Sequence, residues 1–247
     1  MTDRARFSRI AHRNLPWAAP VATPTVARLI ETLVLPPGSS VLDVGCGRGA
    51  LLMDIVEASG GTGVGIDMDA VSIRAASEAA GARSLSERVS FLESTAADFG
   101  SDERFELACC VGASHACGGY RQTLEYLLGY AGPDAYLLCG EGFWRRPPEP
   151  AYLAHIGASA DEMGSHQDNM EIATSLGLSP AWCVATSDQT WDEYEGLYRL
   201  AMLSYLRRHP DDPDHDAFMQ RSDHWYDGYL NWGRETMGFA MYLFQRR

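Results

Sequence analysis

The stretch Val41-Leu42-Asp43-Val44-Gly45-Cys46-Gly47-Arg48-Gly49 decides the fold. Val41, Leu42 and Val44 make a short apolar run of the kind that forms a buried strand, with one acid, Asp43, set inside it. Glycines at three alternate positions follow. They let the backbone turn sharply and approach a ligand with no Cβ in the way. The periodic segment Ala50 to Ser59 then reads as a helix, whose free N–H groups face whatever sits in that turn. Strand, glycine turn and helix in this order make a nucleotide-binding element.

Two nucleotides compete for it. Gly45-x-Gly47-x-x-Ala50 satisfies the loose dinucleotide pattern, and Asp67 follows at about the expected interval. The whole string, however, resembles motif I of the class I S-adenosylmethionine-dependent methyltransferases: apolar, apolar, acid, apolar, then Gly-x-Gly-x-Gly. Gly63-Val64-Gly65-Ile66-Asp67-Met68 strengthens the likeness, because it ends a strand in a carboxylate able to accept ribose hydroxyl protons. The resemblance implies S-adenosyl-L-methionine as cofactor. It puts Asp43, Gly45, Gly47 and Gly49 around the methionyl part, Asp67 on the ribose and Met68 against the adenine. It assigns Ala97, Asp98 and Phe99 to the adenine edge. The fold it implies is α/β: a Rossmann-like, seven-stranded, mostly parallel sheet with the last strand antiparallel. A helical cover precedes the sheet, and a helix pair enters between strands six and seven.

The element pattern agrees with that fold. A helix is predicted over Ala22–Leu35, and the proline-punctuated segment Ile10–Pro20 before it is of a kind that folds over the cofactor in this class. Strands are predicted at Val41–Val44, Gly63–Asp67, Val89–Leu92, Leu107–Val111 and Ala135–Glu141, with helices at Ala50–Ser59, Ala70–Ala80 and Tyr120–Tyr130. One or two helices over Ala151–Leu176 lead to strand six, Ala181–Thr186. Helices at Trp191–Arg208 and His215–Glu235 precede the last strand, Met237–Phe244. A single domain accommodates all 247 residues. Its expected parts are a cover (1–36), a cofactor-binding core (37–144), substrate and lid helices with strand six (145–236), and the last strand (237–247).

The net charge is −13 and every basic residue is arginine. Without lysine there is no Schiff base, no phosphate-loop lysine and no Tyr-x-x-x-Lys acid. The acidic balance argues against nucleic acid and anionic membranes as partners, leaving a small-molecule substrate and a monomer or homodimer. No run of eighteen apolar residues appears, and the Arg-rich start lacks a signal-peptide core, so a cytoplasmic location is expected. Six scattered cysteines without a C-x-x-C pair read as reduced thiols. No metal site is expected, since the acids and histidines of His209 to Asp216 read as a solvated interhelical turn.

Methyl transfer from a sulfonium is an in-line displacement, so positioning and water exclusion are the main tasks. Acceptor residues belong after strands four and five. His115, in Gly112-Ala113-Ser114-His115-Ala116-Cys117-Gly118-Gly119, is a candidate general base or orienting group. In Gly140-Glu141-Gly142-Phe143-Trp144-Arg145, Glu141 is the second catalytic candidate, for an ammonium or a proton. Trp144 is a candidate pocket wall and Arg145 a partner for a carboxylate. The covering elements offer His12, Trp17, Trp191 and Tyr194 as substrate contacts, each with a structural reading beside it. The segments around His115 and Glu141, with Thr190-Trp191-Asp192-Glu193-Tyr194-Glu195 and His12-Arg13-Asn14-Leu15-Pro16, resemble the YjhP-type bacterial small-molecule methyltransferases.

The activity expected is therefore methylation of a small molecule, on nitrogen or oxygen. A nicotinamide-dependent reductase on the same fold and a non-catalytic donor-binding protein are the alternatives. Titration with NADH or NADPH separates the first of them: the methyltransferase reading expects no fluorescence change, and the reductase requires one.

Overall fold

The computed structural model describes residues 4–246. Seven strands form one sheet in the order β3-β2-β1-β4-β5-β7-β6. β1 (Ser40–Val44), β2 (Thr62–Asp67), β3 (Val89–Glu93), β4 (Phe105–Val111) and β5 (Ala131–Trp144) run parallel. β7 (Met237–Arg246) enters antiparallel between β5 and β6 (Leu178–Ala185), and its place beside β5 is the one the family resemblance implies. The chain leaves β1 toward β2 on one side and returns to β4 on the other. That reversal opens a crevice at the carboxyl end of β1, where α/β sheets bind ligands.

The parallel strands are nearly continuous apolar runs because helices cover both faces. On one face Val41, Leu107, Cys109, Leu138, Met241 and Leu243 pack with α3 (Ala50–Ser59), which buries Leu52, Met53, Ile55 and Val56. On the other, Leu42, Val44, Ile66, Cys110, Leu137 and Tyr242 pack with α5 (Tyr120–Tyr130) and α7 (His166–Ser175). α4 (Ala70–Ala82) lies against β3 and β2. The six cysteines are all free thiols.

Element ends shift by up to three residues, those of α2 (Thr23–Thr32), β6 and α8 (Asp188–Arg208) among them, and Arg4–Ala11 forms an unpredicted helix. Three further elements differ in form from the sequence expectation. β5 begins at Ala131, because an irregularity in its pairing with β4, with Asp134 at φ 58°, lets the strand restart at Tyr136. The segment after the proline loop divides into α6 (Pro150–Ile156), a 3-10 turn (Ala160–Glu162) and α7, since Gly157 takes a left-handed φ of 67° and ends α6. The late helix stops at Gly228 and opens into a π-helical turn, Tyr229–Gly233. That wider turn accompanies the buried Tyr229, whose hydroxyl donates to Asp192 at 2.6 Å.

The N-terminal helix α1 (Arg4–Ala11) packs on α8 (Asp188–Arg208) and not on the sheet. Phe7, Ala11, Met202, Leu206 and Phe218 form a small separate core, the last from α9 (His215–Gly228). Arg6 ties it to the acidic interhelical turn, donating to Asp212, Asp214 and Tyr205. α2 (Thr23–Thr32) follows and lies on α3. No helix among the described residues is long and apolar enough to cross a membrane.

Gly49 is the tightest point of the α3 start. It sits at φ 71°, and a Cβ there would lie 2.3 Å from the Phe91 ring. Gly49→Ala is expected to destabilise the protein by about 1–3 kcal/mol, the cost of left-handed strain plus displacement of a packed ring. Urea unfolding measures it, and an unchanged midpoint would contradict this account.

Candidate active site

A cavity of about 810 Å³ lies at the carboxyl ends of β1, β2 and β4, under the N-terminal segment. Its floor is the glycine turn. Gly45, Gly47 and Gly49 have φ of 71°, 53° and 71°, conformations that side-chain-bearing residues rarely adopt. Gly45 and Cys46 donate their N–H groups to the Ile66 carbonyl at 2.8 and 3.0 Å, which fastens the turn to the end of β2. A Cβ on Gly45 would stand 2.3 Å from that of Ala113, just past β4. The turn is thus pressed between two strand ends and leaves its other side to the cavity.

Asp67 ends β2 with its carboxylate held on both oxygens. Oδ2 accepts from Gly47 N–H and Oδ1 from Asp69 N–H, each at 2.9 Å. A carboxylate has about four acceptor positions, so two remain for ligand hydroxyls. Asp43 lies beneath the turn, 4% exposed, and burial together with the charge of Asp67 pushes its pKa up to about 7. Met68 is 73% exposed at the cavity rim, an apolar side chain open to a ligand ring. Ser94, Thr95 and Ala96 line the next stretch of wall. Ala97, Asp98 and Phe99 stand just outside that lining. There Asp98 accepts from Thr95 Oγ1 at 2.7 Å, and Phe99 packs on Tyr130 with centroids 5.3 Å apart.

On the β4 side the wall consists of Val111, Gly112, Ala113, His115 and Ala116, with Met241 of β7 behind them. His115 is exposed on a 3-10 turn, Ser114–Cys117. Glu141 is outside the lining. Its Oε1 accepts from Gly142 N–H at 3.1 Å, and Oε2 is buried without a hydrogen-bond partner among the described residues. Burial raises its pKa against hydrogen bonds from Ser114 and Gly142. Glu141 is therefore held beside the turn that carries His115 and does not itself line the cavity.

The roof is N-terminal. His12, Trp17, Ala18 and Val21 face the cavity. His12 Nδ1 lies 2.8 Å from the Ser8 carbonyl, which can only accept, so Nδ1 bears the proton and Nε2 accepts from Tyr194 hydroxyl at 2.9 Å. Burial first, and Arg48 second, hold its pKa below the usual histidine value.

Tyr194 thus reaches the site only through His12. Three other sequence candidates lie elsewhere. Trp144 is buried against Tyr152 and donates to the Ala160 carbonyl at 2.9 Å. Arg145 pairs with Asp188 and donates to the Thr186 carbonyl. Trp191 is buried and donates to Glu195, which Trp225 also serves at 2.8 Å. Both tryptophans need an acceptor when buried, and they find one within their own packing.

Two arginines at the cavity were not singled out by the sequence pattern. Arg9 pairs with Asp69 at 2.8 Å, joining α1 to the start of α4. Arg48 donates to the carbonyls of His12, Arg13 and Leu15, joining the glycine turn to the roof. The only signal for Arg48 was its place within the glycine string. Nothing local marks Arg9, since its partner is sixty residues away.

Residues 41–128 match the family described as a methyltransferase domain. With the seven-stranded sheet and the glycine turn, this match gives the chain the architecture and donor-binding motif of the class I S-adenosylmethionine-dependent methyltransferases, to which it is similar. The chain is similar along most of its length to YjhP of Escherichia coli K12: 29% identical over 225 residues, covering 87% of this chain and 88% of that one. The crystal structure of YjhP superposes with a TM-score of 0.90 at 27% identity, over 98% of this chain and 100% of the other. A methyltransferase from Geobacter sulfurreducens in complex with S-adenosyl-L-homocysteine matches at a TM-score of 0.91 and 27% identity, over 100% of both chains. Another such complex, from Thiobacillus denitrificans, gives 0.89 and 27%, over 98% of each.

Because burial raises Asp43's pKa, ionising it costs the folded state more than the unfolded one. Its contribution to stability is present below the ordinary carboxylate range and is lost as pH rises through about 7. Between pH 5 and pH 8 the ligand-free protein is expected to lose more stability than its Asp43→Asn variant, as read by urea unfolding. Equal losses would refute the assignment to Asp43.

Proposed function

We propose that this protein transfers the methyl group of S-adenosyl-L-methionine to a small-molecule acceptor held between the β4 end and the N-terminal roof. The observation that carries this reading is the cradle itself. Three left-handed glycines, in a turn fastened to the Ile66 carbonyl through the N–H groups of Gly45 and Cys46, sit beside a strand-end carboxylate with acceptor positions to spare. When bound, the donor supplies an electrophilic methyl group on a sulfonium sulfur. Asp43 and the glycines Gly45, Gly47 and Gly49 surround its methionyl part, and Asp67 accepts the ribose hydroxyl protons. Met68 covers one adenine face. Asp98 and Phe99 act at the adenine edge through the Thr95 turn that Asp98 anchors, with Ala97 beside it.

The rest of the chain orients the acceptor and keeps water away. His12 and Trp17 close the roof. His115 stands where a nucleophile's proton would leave, and its exposure lets it pass that proton to solvent. Glu141 acts as a positioning residue beside the His115 turn. Catalysis then rests chiefly on near-attack geometry in a closed site.

Calorimetry with S-adenosyl-L-homocysteine tests the donor assignment. The wild type is expected to bind it, and Asp67→Ala to bind at least about tenfold more weakly, which corresponds to about 1.4 kcal/mol. Failure of the wild type to bind, or undiminished binding by the variant, would sink the proposal.

A further inference from the structure

The charges around the cavity are distributed unevenly. Asp43, Asp67 and Asp69 all belong to the ends of β1 and β2, the donor half. Arg9 is there too, paired with Asp69, and Arg48 is spent on the carbonyls of the roof. The half beyond β4 is different. Its wall is Val111, Gly112, Ala113, Ala116 and Met241, under Trp17 and Val21. Among the described residues the titratable side chains lining it are two histidines, with the Arg48 guanidinium near them held on the backbone carbonyls of His12, Arg13 and Leu15. His12 is neutral, its Nδ1 proton given to Ser8 and its Nε2 occupied by Tyr194. His115 is the other, and it is exposed.

Such a surface discriminates by charge. Among the described residues a carboxylate acceptor would meet no arginine free to pair with it there, because Arg145 is turned away to Asp188 and Arg48 is taken up by the roof carbonyls. Among the described residues an ammonium acceptor would meet no carboxylate on that wall, because Glu141 lies outside the lining with Oε1 accepting from Gly142 N–H. Desolvating a charge against apolar side chains without a partner is costly, whereas apolar surface gains from burial.

On the reading of this site as a methyltransferase, we propose that its acceptor is an uncharged, largely apolar molecule bearing an acidic hydroxyl, a phenol or an enol. The hydroxyl oxygen forms a bond to the donor methyl carbon while the carbon–sulfonium bond breaks, its electron pair returning to sulfur as a thioether. The hydroxyl proton passes to the imidazole of His115 and from there to water. Charges balance: a cation and a neutral hydroxyl compound give two neutral products and one proton.

Three phenols that share a nucleophile and differ in charge test the inference: p-cresol, 4-hydroxyphenylacetate and tyramine. Each is titrated by calorimetry into the protein already saturated with S-adenosyl-L-homocysteine, so a failed donor reading shows itself first as absent saturation. p-Cresol is expected to bind at least about tenfold more tightly than either charged analogue, a difference of about 1.4 kcal/mol. Ala116→Asp places a carboxylate on the exposed part of this wall, and the preference is expected to move at least about tenfold toward tyramine. The proposal falls if either charged phenol binds the wild type as tightly as p-cresol, if p-cresol does not bind, or if Ala116→Asp leaves the order unchanged.

Discussion

The close approach of the glycine turn to its neighbours sets the geometry of everything else. Gly45 lies so near Ala113 that no Cβ fits between them, and Gly49 stands in the same relation to Phe91. The Ile66 carbonyl takes two N–H groups from the turn, and Asp67 takes a third. The ends of β1, β2, β3 and β4 are therefore fixed relative to one another by backbone hydrogen bonds and steric contact. Donor contacts on one side and acceptor contacts on the other inherit that spacing. Methyl transfer depends on such spacing, because misplacing the reacting atoms by about 1 Å costs about a hundredfold in rate.

The N-terminal segment closes the site without joining the sheet. The apolar residues of α1 pack on α8 and α9 while Trp17, Ala19 and Val21 join the main core, and the segment is tied to the site through Arg9–Asp69 and the carbonyls that Arg48 donates to. Guanidinium suits this role better than ammonium, since one Arg48 fork serves several carbonyls at once. The lysine-free composition, whatever its origin, is put to structural use here.

The fold was largely legible in the sequence because its signals are local. A buried parallel strand declares itself as a short apolar run, and α3 and α5 begin and end where their periodicity and glycines indicate. Boundaries slipped where tertiary contact overrode local pattern. β5 restarts after an irregularity at Asp134, and the helix after His215 opens into a π turn around Tyr229. The donor half of the site was readable for a related reason: a glycine that must be left-handed and a carboxylate that ends a strand are both positional facts. Asp43, Gly45, Gly47, Asp67 and Met68 all line the cavity.

The acceptor half followed another rule. Trp144, Arg145 and Trp191 resemble pocket residues in the one-dimensional string, yet each meets a partner within its own packing layer and faces away from the cavity. Arg9 and Arg48 carry no signature, yet both border it, because their partners come from distant chain segments. Local backbone chemistry alone was enough to specify the sheet, the glycine turn and the strand-end carboxylate of Asp67. Which side chains line the β4 side of the cavity, and that Trp144, Arg145 and Trp191 do not, depends on contacts between residues tens of positions apart. Only the folded chain brings those residues together.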